Sequence, residues 1–191
     1  MLLKTKNLMK AFGGLKAINK VDFELPAGEI RGIIGPNGSG KSTFFNLVSG
    51  VYDPDPGSYI EFDGHDITNE PPHKIGALGL SRTFQLLRLY QDMSVINNVM
   101  SGYHTRVKYK FFDAVIGRKK IWDQEKEIKD EMMELLSFVG LADYAELNAS
   151  ELSGGQRRLL VLARAIAMKP KLLMLDAVSY THLRAHETSS N

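Results

Sequence analysis

The 191-residue chain contains no cysteine, which excludes disulfide bonds, thiolate metal ligands and a cysteine nucleophile. Its 24 Lys and Arg nearly balance its 22 Asp and Glu, so the formal charge is only +2. Without a general basic field, we expect no nucleic-acid partner. No apolar run approaches the roughly 18 residues that cross a bilayer, and no signal-peptide core is present. We therefore expect the chain to stay in the compartment where it is made and, if it serves a membrane, to do so from the cytoplasmic side through a partner.

The N-terminal part of the sequence reads as strands. Apolar and polar residues alternate over residues 2–26 with a break at Gly13-Gly14, which predicts two antiparallel strands and a turn. A further apolar and polar alternation over residues 59–67 surrounds Asp63-Gly64. Asp-Gly is a favoured two-residue hairpin turn, so these residues predict a second hairpin.

A glycine-rich loop lies between a predicted buried strand, residues 29–34, and a predicted helix, residues 42–49, that ends at Gly50. The loop fits the phosphate-binding pattern G-x-x-x-x-G-K-[ST] in its required context, although a plain glycine-rich turn is the alternative. Glycine lets backbone N–H groups turn toward phosphate oxygens, and the helix N-terminus adds partial positive charge. Lys41 would contact the β- and γ-phosphates, and Ser42 would ligate Mg²⁺. The candidate nucleotide-binding residues are Gly35, Pro36, Asn37, Gly38, Ser39, Gly40, Lys41, Ser42 and Thr43.

The second half of the chain is dominated by helical patterns. Ser153 and Gln156 form a capping-box pattern that begins a helix reaching to about Met168. The run from Leu172 to Leu175 predicts a short buried strand ending at Asp176. An earlier helix is predicted from apolar residues at helical spacing before the C-cap Gly140, namely Ile121, Ile128, Met132, Leu135 and Val139.

The start of the Ser153 helix carries a second motif. Leu152, Ser153, Gly154, Gly155 and Gln156 reproduce the signature sequence of the ATP-binding cassette (ABC) family, which the chain resembles. Each glycine costs roughly 1 kcal/mol relative to Ala inside a helix, so something must require a bare N-terminus. In the family, two cassettes pair head to tail, and each signature contacts the ATP bound by the other. A capped helix with two flexible residues is the alternative interpretation.

The resemblance covers about residues 1–176 and implies further site residues. Phe12 stands where the family has the aromatic residue that stacks on adenine, although an ordinary strand residue is the alternative. Gln85 matches the Q-loop glutamine, which contacts Mg²⁺, and a surface glutamine is its alternative. Asp176 matches the carboxylate that holds Mg²⁺ through water. Ser42, Gln85 and Asp176 are thus the implied magnesium ligands, and Lys41, Gln85 and Asp176 the implied catalytic residues.

The same resemblance implies the fold and the activity. The fold would be an α/β P-loop NTPase of ABC type, with a RecA-like core, an antiparallel β lobe and a helical lobe at about residues 90–152. The chain would end just after the Walker B strand that carries Asp176. The parent protein would be an ATPase with ATP and Mg²⁺ as cofactors. Its partners would be transmembrane permease subunits and a second ATP-binding subunit.

Short strings indicate the branch of the family. Residues 11–18, 82–90 and 93–99 resemble the ATPase subunits of branched-chain amino-acid importers, which implies substrates such as Leu, Ile and Val. Other transport substrates remain alternatives. So does an ABC ATPase of DNA repair, although no coiled coil or zinc module separates Lys41 from Ser153. A cassette that binds ATP as a switch without hydrolysing it is a further alternative.

The last residues depart from the family. Ala177 stands where the family has its catalytic Glu, and residues 178–188 resemble the in-frame translation of a transposase adapter used to prepare sequencing libraries. We expect residues 177–191 to be a non-native tail, so that the domain comprises residues 1–176. We also expect the chain as written to bind ATP but to lack the catalytic Glu and the sensing His of the family. The switch interpretation would fit Ala177 if these residues were native.

Overall fold

A computed structural model describes residues 1–83, 89–104 and 118–175. The described chain forms two compact units, one over residues 1–82 and one from residue 83 onward. In chain order the elements are β1 (Leu3–Phe12), β2 (Leu15–Leu25), α1 (Lys41–Val48), β3 (Tyr59–Phe62), β4 (His65–Asp66), α2 (Pro72–Ala77), β5 (Leu80–Thr83), α3 (Val95–His104), α4 (Arg118–Phe138), α5 (Gly154–Ala167) and β6 (Leu172–Leu175), with short 3₁₀ turns at Ala142–Tyr144 and Ala149–Glu151.

The first unit contains an antiparallel sheet in the order β2-β1-β3-β4. The predicted first hairpin is confirmed, since β1 and β2 pair from Leu3 opposite Leu25 to Phe12 opposite Leu15. The predicted second hairpin is confirmed as well. Asp63 and Gly64 have φ angles of 50° and 77°, the left-handed conformation that a two-residue hairpin turn requires.

Helix α1 packs against this sheet and is fixed at its C-terminal end. The Phe44 ring lies edge-on to Phe23 of β2, with ring centroids 5.3 Å apart. The buried guanidinium of Arg82 donates to Asn46 Oδ1 at 2.6 Å and Ser49 Oγ at 3.2 Å. Gly50 follows with a φ of 71°, so the predicted helix and its end are confirmed. The sheet and Arg82 together hold the helix in place.

The predicted buried strand at residues 29–34 is wrong. This run has no strand conformation, and Ile30 and Ile34 are 101% and 95% exposed. Arg31 instead contacts the Glu29 carboxylate at 3.0 Å and the Glu24 carbonyl oxygen. An apolar run becomes a buried strand only where neighbouring strands take up its backbone hydrogen bonds. Among the described residues, no strand pairs with this run.

The second unit has a helical core formed by α3, α4 and α5. The predicted helix stripe is confirmed at Ile128 and Met132, which are buried, whereas Leu136 is fully buried and was not predicted. The side chain of Ile121 lies outside the described residues. The core residues are Leu89, Val95, Ile96, Val99, Ile128, Met132, Leu136, Leu141, Ala145, Ala149, Leu152, Leu160, Ala163 and Ala167.

Helices α3 and α5 cross closely in this unit. A Cβ atom on Gly102 of α3 would lie 2.5 Å from the carbonyl oxygen of Arg164 in α5, so the crossing admits only glycine without a shift. The predicted strand before Asp176 is present as β6, where Met174 is buried but Leu175 is exposed. Over the described ranges, none of the helices combines the length and apolar character of a membrane span.

Candidate functional site

The glycine-rich loop leads directly into the N-terminus of α1. Gly40 is the N-cap residue with a φ of 92°, and the Phe44 N–H donates to the Gly40 carbonyl oxygen at 2.8 Å. Among residues 1–83, 89–104 and 118–175 no side chain caps this helix, and no acidic residue lies in its first turn. The first N–H groups of a helix have no partner inside it, and its dipole attracts anions. The predicted phosphate loop therefore has the backbone geometry of an anion site, with exposed Ser42 in the first helical turn.

Two conditions make Gly40 necessary in this loop. Its positive φ disfavours any residue with a side chain. A Cβ atom there would also lie 2.4 Å from the carbonyl oxygen of Ala17 in β2, which is a backbone atom. Gly38 has a φ of 82° but open space around it. The loop is thus held against β2 at Gly40, where a side chain would push it away.

Lys41 folds back over the loop. Its ammonium donates hydrogen bonds to the carbonyl oxygens of Gly35 at 2.8 Å and Pro36 at 2.7 Å. A cation and the positive end of α1 therefore lie at the same loop. This arrangement favours a polyanion such as a triphosphate.

Phe12 ends β1 with 44% of its surface exposed. The Tyr52 ring meets it edge-to-face, with centroids 5.4 Å apart and planes at 74°. The Lys10 ammonium lies 5.6 Å from the centroid of the Phe12 ring. Phe12 is therefore a partly exposed ring held by neighbours, which suits it to stack on a flat base. The sequence had not suggested Tyr52, because only the fold brings it beside Phe12.

The signature residues begin α5 as predicted. The Gln156 N–H donates to Ser153 Oγ at 3.3 Å, and the Ser153 N–H donates to Gln156 Oε1 at 2.8 Å, which completes the capping box. Leu152 is buried and anchors the turn. Gly154 and Gly155 are exposed, and beyond its chain neighbours and its own helix backbone a Cβ atom on either would meet no atom of the described residues within 4 Å. The described residues give no steric reason for glycine at these positions.

A backbone ladder supports the segment that precedes the signature. The Val95 and Ile96 N–H groups donate to the carbonyl oxygens of Leu147 and Ala145, both at 2.9 Å. In the reverse direction, the Ala149 N–H donates to the carbonyl oxygen of Met93 at 3.0 Å, and the Ser150 N–H donates to the carbonyl oxygen of Gln91 at 3.1 Å. Four backbone hydrogen bonds therefore join the segment 91–96 to the segment 145–150, and the signature follows directly after the second one.

Asn98 holds one side of this ladder. Its fully buried side chain accepts from the Tyr90 N–H at 2.9 Å and donates to the carbonyl oxygens of Tyr90 at 3.0 Å and of Met93 and Ser94 at 3.1 Å. Sequence reasoning missed this residue. Its position three residues after Val95 and one before Val99, on the apolar side of a helical pattern, was the signal, since buried polar groups require hydrogen-bond partners.

Gln85 and Asp176, two of the three predicted magnesium ligands, lie outside the described residues. In residues 1–83, 89–104 and 118–175 no cluster of three or more His, Asp or Glu side chains could hold a metal ion. Ser42 is described and its exposed hydroxyl fits a ligand of Mg²⁺, a cation that prefers oxygen. The complete magnesium site stays a prediction. The predicted tail, residues 177–191, also lies outside the described part.

Comparison with protein families covers both the phosphate loop and the signature. The family model described as "ABC transporter" matches residues 18–179. The chain belongs to the ABC transporter family. The match includes the loop at residues 35–43 and the signature at residues 152–156, and the resemblance inferred from these motifs is confirmed.

Curated relatives in the ABC family share the branch that the sequence indicated. The chain is 44% identical over 179 residues to the probable branched-chain amino acid transport ATP-binding protein LivG of Archaeoglobus fulgidus, with 92% of this chain and 66% of the relative covered. It is 38% identical over 175 residues to the high-affinity branched-chain amino acid transport ATP-binding protein LivG of Escherichia coli K12, with 92% and 68% covered. The chain thus spans about two thirds of the length of these relatives.

Solved ABC structures share the fold. The chain matches the crystal structure of a nucleotide-free ATP-binding cassette from an ABC transporter with a TM-score of 0.70 and 34% identity, covering 92% of this chain and 68% of that one. A cassette in its ADP conformation matches with a TM-score of 0.71 and 32% identity, covering 90% and 66%. The predicted fold class, an α/β P-loop NTPase of ABC type, is confirmed.

Proposed function

We propose that the chain comes from the ATP-binding subunit of an ABC importer that takes up branched-chain amino acids. The observation that carries the ATP-binding part is the loop before α1, where an uncapped helix N-terminus, a constrained Gly40 and the folded Lys41 converge. The names of the relatives support the substrate class. The substrate, the partners and the activity of the whole protein are part of this proposal.

The loop residues bind the phosphates of ATP in this proposal. Backbone N–H groups at the start of α1 donate to phosphate oxygens, and Lys41 exchanges its carbonyl partners for the β- and γ-phosphates. Phe12 stacks on the adenine. Ser42, Gln85 and Asp176 hold Mg²⁺, which supplies charge neutralisation at the phosphates.

The signature acts on a second nucleotide in this proposal. Ser153, Gly155 and Gln156 contact the ATP held by the P-loop of a second ATP-binding subunit, and each ATP lies between two cassettes. The open space around Gly154 and Gly155 supports a partner from outside the described residues. Transmembrane permease subunits complete the assembly at the cytoplasmic face of the membrane, and ATP binding and hydrolysis drive solute uptake.

A calorimetric titration of MgATP into the 191-residue chain tests the nucleotide site. We expect Lys41→Ala to weaken binding about 10- to 100-fold, because a charge-assisted contact to phosphate contributes about 1.5–3 kcal/mol. Lys16→Ala, an exposed lysine of β2, is the matched control and should bind as the wild type does. Equal affinity of Lys41→Ala and wild type would contradict the phosphate-binding assignment.

A second experiment tests the transported solute. The complete subunit is reconstituted in proteoliposomes with its transmembrane permease subunits, and ATP hydrolysis is measured with candidate solutes. We expect Leu, Ile and Val to stimulate hydrolysis, and a charged amino acid such as Lys to leave it unchanged. Stimulation by an unrelated solute alone would overturn the substrate class while leaving the ATPase assignment intact.

A further inference from the structure

Tyr52 is fixed between the helix that follows the phosphate loop and the strand that carries Phe12. The Tyr52 N–H donates to the Asn46 carbonyl oxygen at 3.3 Å, and the neighbouring Val51 N–H donates to the same oxygen at 2.9 Å. Asn46 lies little more than one turn along α1 from Lys41. The position of the Tyr52 backbone therefore follows the position of the helix that begins at the loop.

The residues after Tyr52 are tied to β1. The Asp55 N–H donates to the Met9 carbonyl oxygen at 2.9 Å, and the Ala11 N–H donates to the Asp55 carboxylate at 2.8 Å. The Met9 N–H donates to Ser58 Oγ at 2.9 Å. The pairing of β1 with β3 covers Leu3 to Lys6. Beyond Lys6, the segment 55–58 lies alongside β1 and forms hydrogen bonds with it. The backbone around Tyr52 is therefore held from both sides, while 39% of the residue's surface is exposed.

Lys10 belongs to the same arrangement. Its ammonium donates to the Asp53 carbonyl oxygen at 2.6 Å and lies 3.8 Å from the Asp55 carboxylate. The same ammonium lies 5.6 Å from the centroid of the Phe12 ring, and the Tyr52 ring meets the Phe12 ring edge-to-face. Two neighbours with anchored positions therefore restrict the Phe12 ring, although 44% of Phe12 remains exposed.

We propose that Tyr52 is a positioning residue, which holds the Phe12 ring ready for the purine base and ties the base-stacking ring to the phosphate loop through α1. This inference rests on the proposed function, since it presumes that Phe12 stacks on adenine. A ring that is oriented before binding loses less conformational freedom when the base arrives. The contribution of Tyr52 is therefore specific to ligands that carry a base.

The test compares MgATP with magnesium tripolyphosphate, which has the phosphates but no base, by calorimetric titration into the 191-residue chain. We expect Tyr52→Leu to weaken ATP binding about three- to tenfold and to leave tripolyphosphate binding unchanged, since aromatic pairs contribute at this level. Tyr52→Phe keeps the edge-to-face ring contact and should restore the affinity for ATP. Tyr59→Leu, which removes a tyrosine from β3 in the same unit, is the matched control and should not change the ratio of the two affinities.

A double-mutant cycle separates positioning from general support of the fold. In a Phe12→Ala background, Tyr52→Leu should cause no further loss of ATP affinity, because the ring that it positions is gone. Equal weakening of both ligands by Tyr52→Leu would show a role in supporting α1 and would overturn the inference, as would no change with either ligand. If Phe12→Ala lowers ATP affinity as expected but Tyr52→Leu does not, only this inference fails. If Phe12→Ala has no effect, the base-stacking assignment and this inference fail together.

Discussion

Two glycine-containing motifs begin two helices in this protein, but within the described residues only the first has a steric reason for its glycine. At the phosphate loop, Gly40 has a φ of 92° and lies where a Cβ atom would be 2.4 Å from a β2 carbonyl oxygen. At the signature, Gly154 and Gly155 have open space around them. The first motif is therefore constrained by its own unit, whereas our proposal assigns the glycines of the second to a contact with a partner subunit.

The largest effect should follow from Gly40→Ala. The new side chain would strain a positive φ and collide with the Ala17 carbonyl oxygen, so we expect a loss of about 2–4 kcal/mol in the free energy of unfolding. The matched control is Gly38→Ala, which has a similar φ of 82° but open space and should lose about 1 kcal/mol. Chemical denaturation of both variants measures the difference. Equal losses would show that the contact with β2 does not constrain the loop.

Asn98→Ala should have the next largest effect and tests the support of the signature. The substitution removes the hydrogen bonds that the buried Asn98 side chain makes with backbone groups of Tyr90, Met93 and Ser94, at a cost of about 2–3 kcal/mol in the free energy of unfolding. We expect faster hydrogen exchange at the ladder N–H groups of Val95 and Ala149. The exposed neighbour Asn97→Ala is the matched control and should stay within about 0.5 kcal/mol of wild type. Unchanged exchange in Asn98→Ala would contradict its role in the ladder.

The smallest effect, and the one of opposite sign, is expected from Gly155→Ala. With no atom within 4 Å of the new Cβ atom, the substitution should stabilise the chain by about 0.5–1 kcal/mol through helix propensity. Thermal and chemical denaturation measure this change. A destabilised Gly155→Ala would show that a contact within the chain requires this glycine.

Local patterns made much of the structure predictable from the sequence. The Asp63-Gly64 turn and the Ser153 capping box depend on neighbouring residues, and both are present. The exposed run 29–34 was not predicted, because burial of an apolar strand depends on partner strands elsewhere in the chain. Tyr52 was missed for a related reason. Its contact with Phe12 joins two positions 40 residues apart in the numbering and exists only after the sheet and α1 have formed.

A titration of MgATP into Gly40→Ala and Gly155→Ala under the same conditions tests whether the two motifs differ in their role toward the chain's own ATP. We expect Gly40→Ala to lose measurable affinity, because its loop is displaced, and Gly155→Ala to bind ATP as tightly as the wild-type chain. Retained affinity in Gly40→Ala, or an equal loss in Gly155→Ala, would contradict the proposal that the chain binds ATP at its own phosphate loop while its signature contacts the ATP of a second subunit.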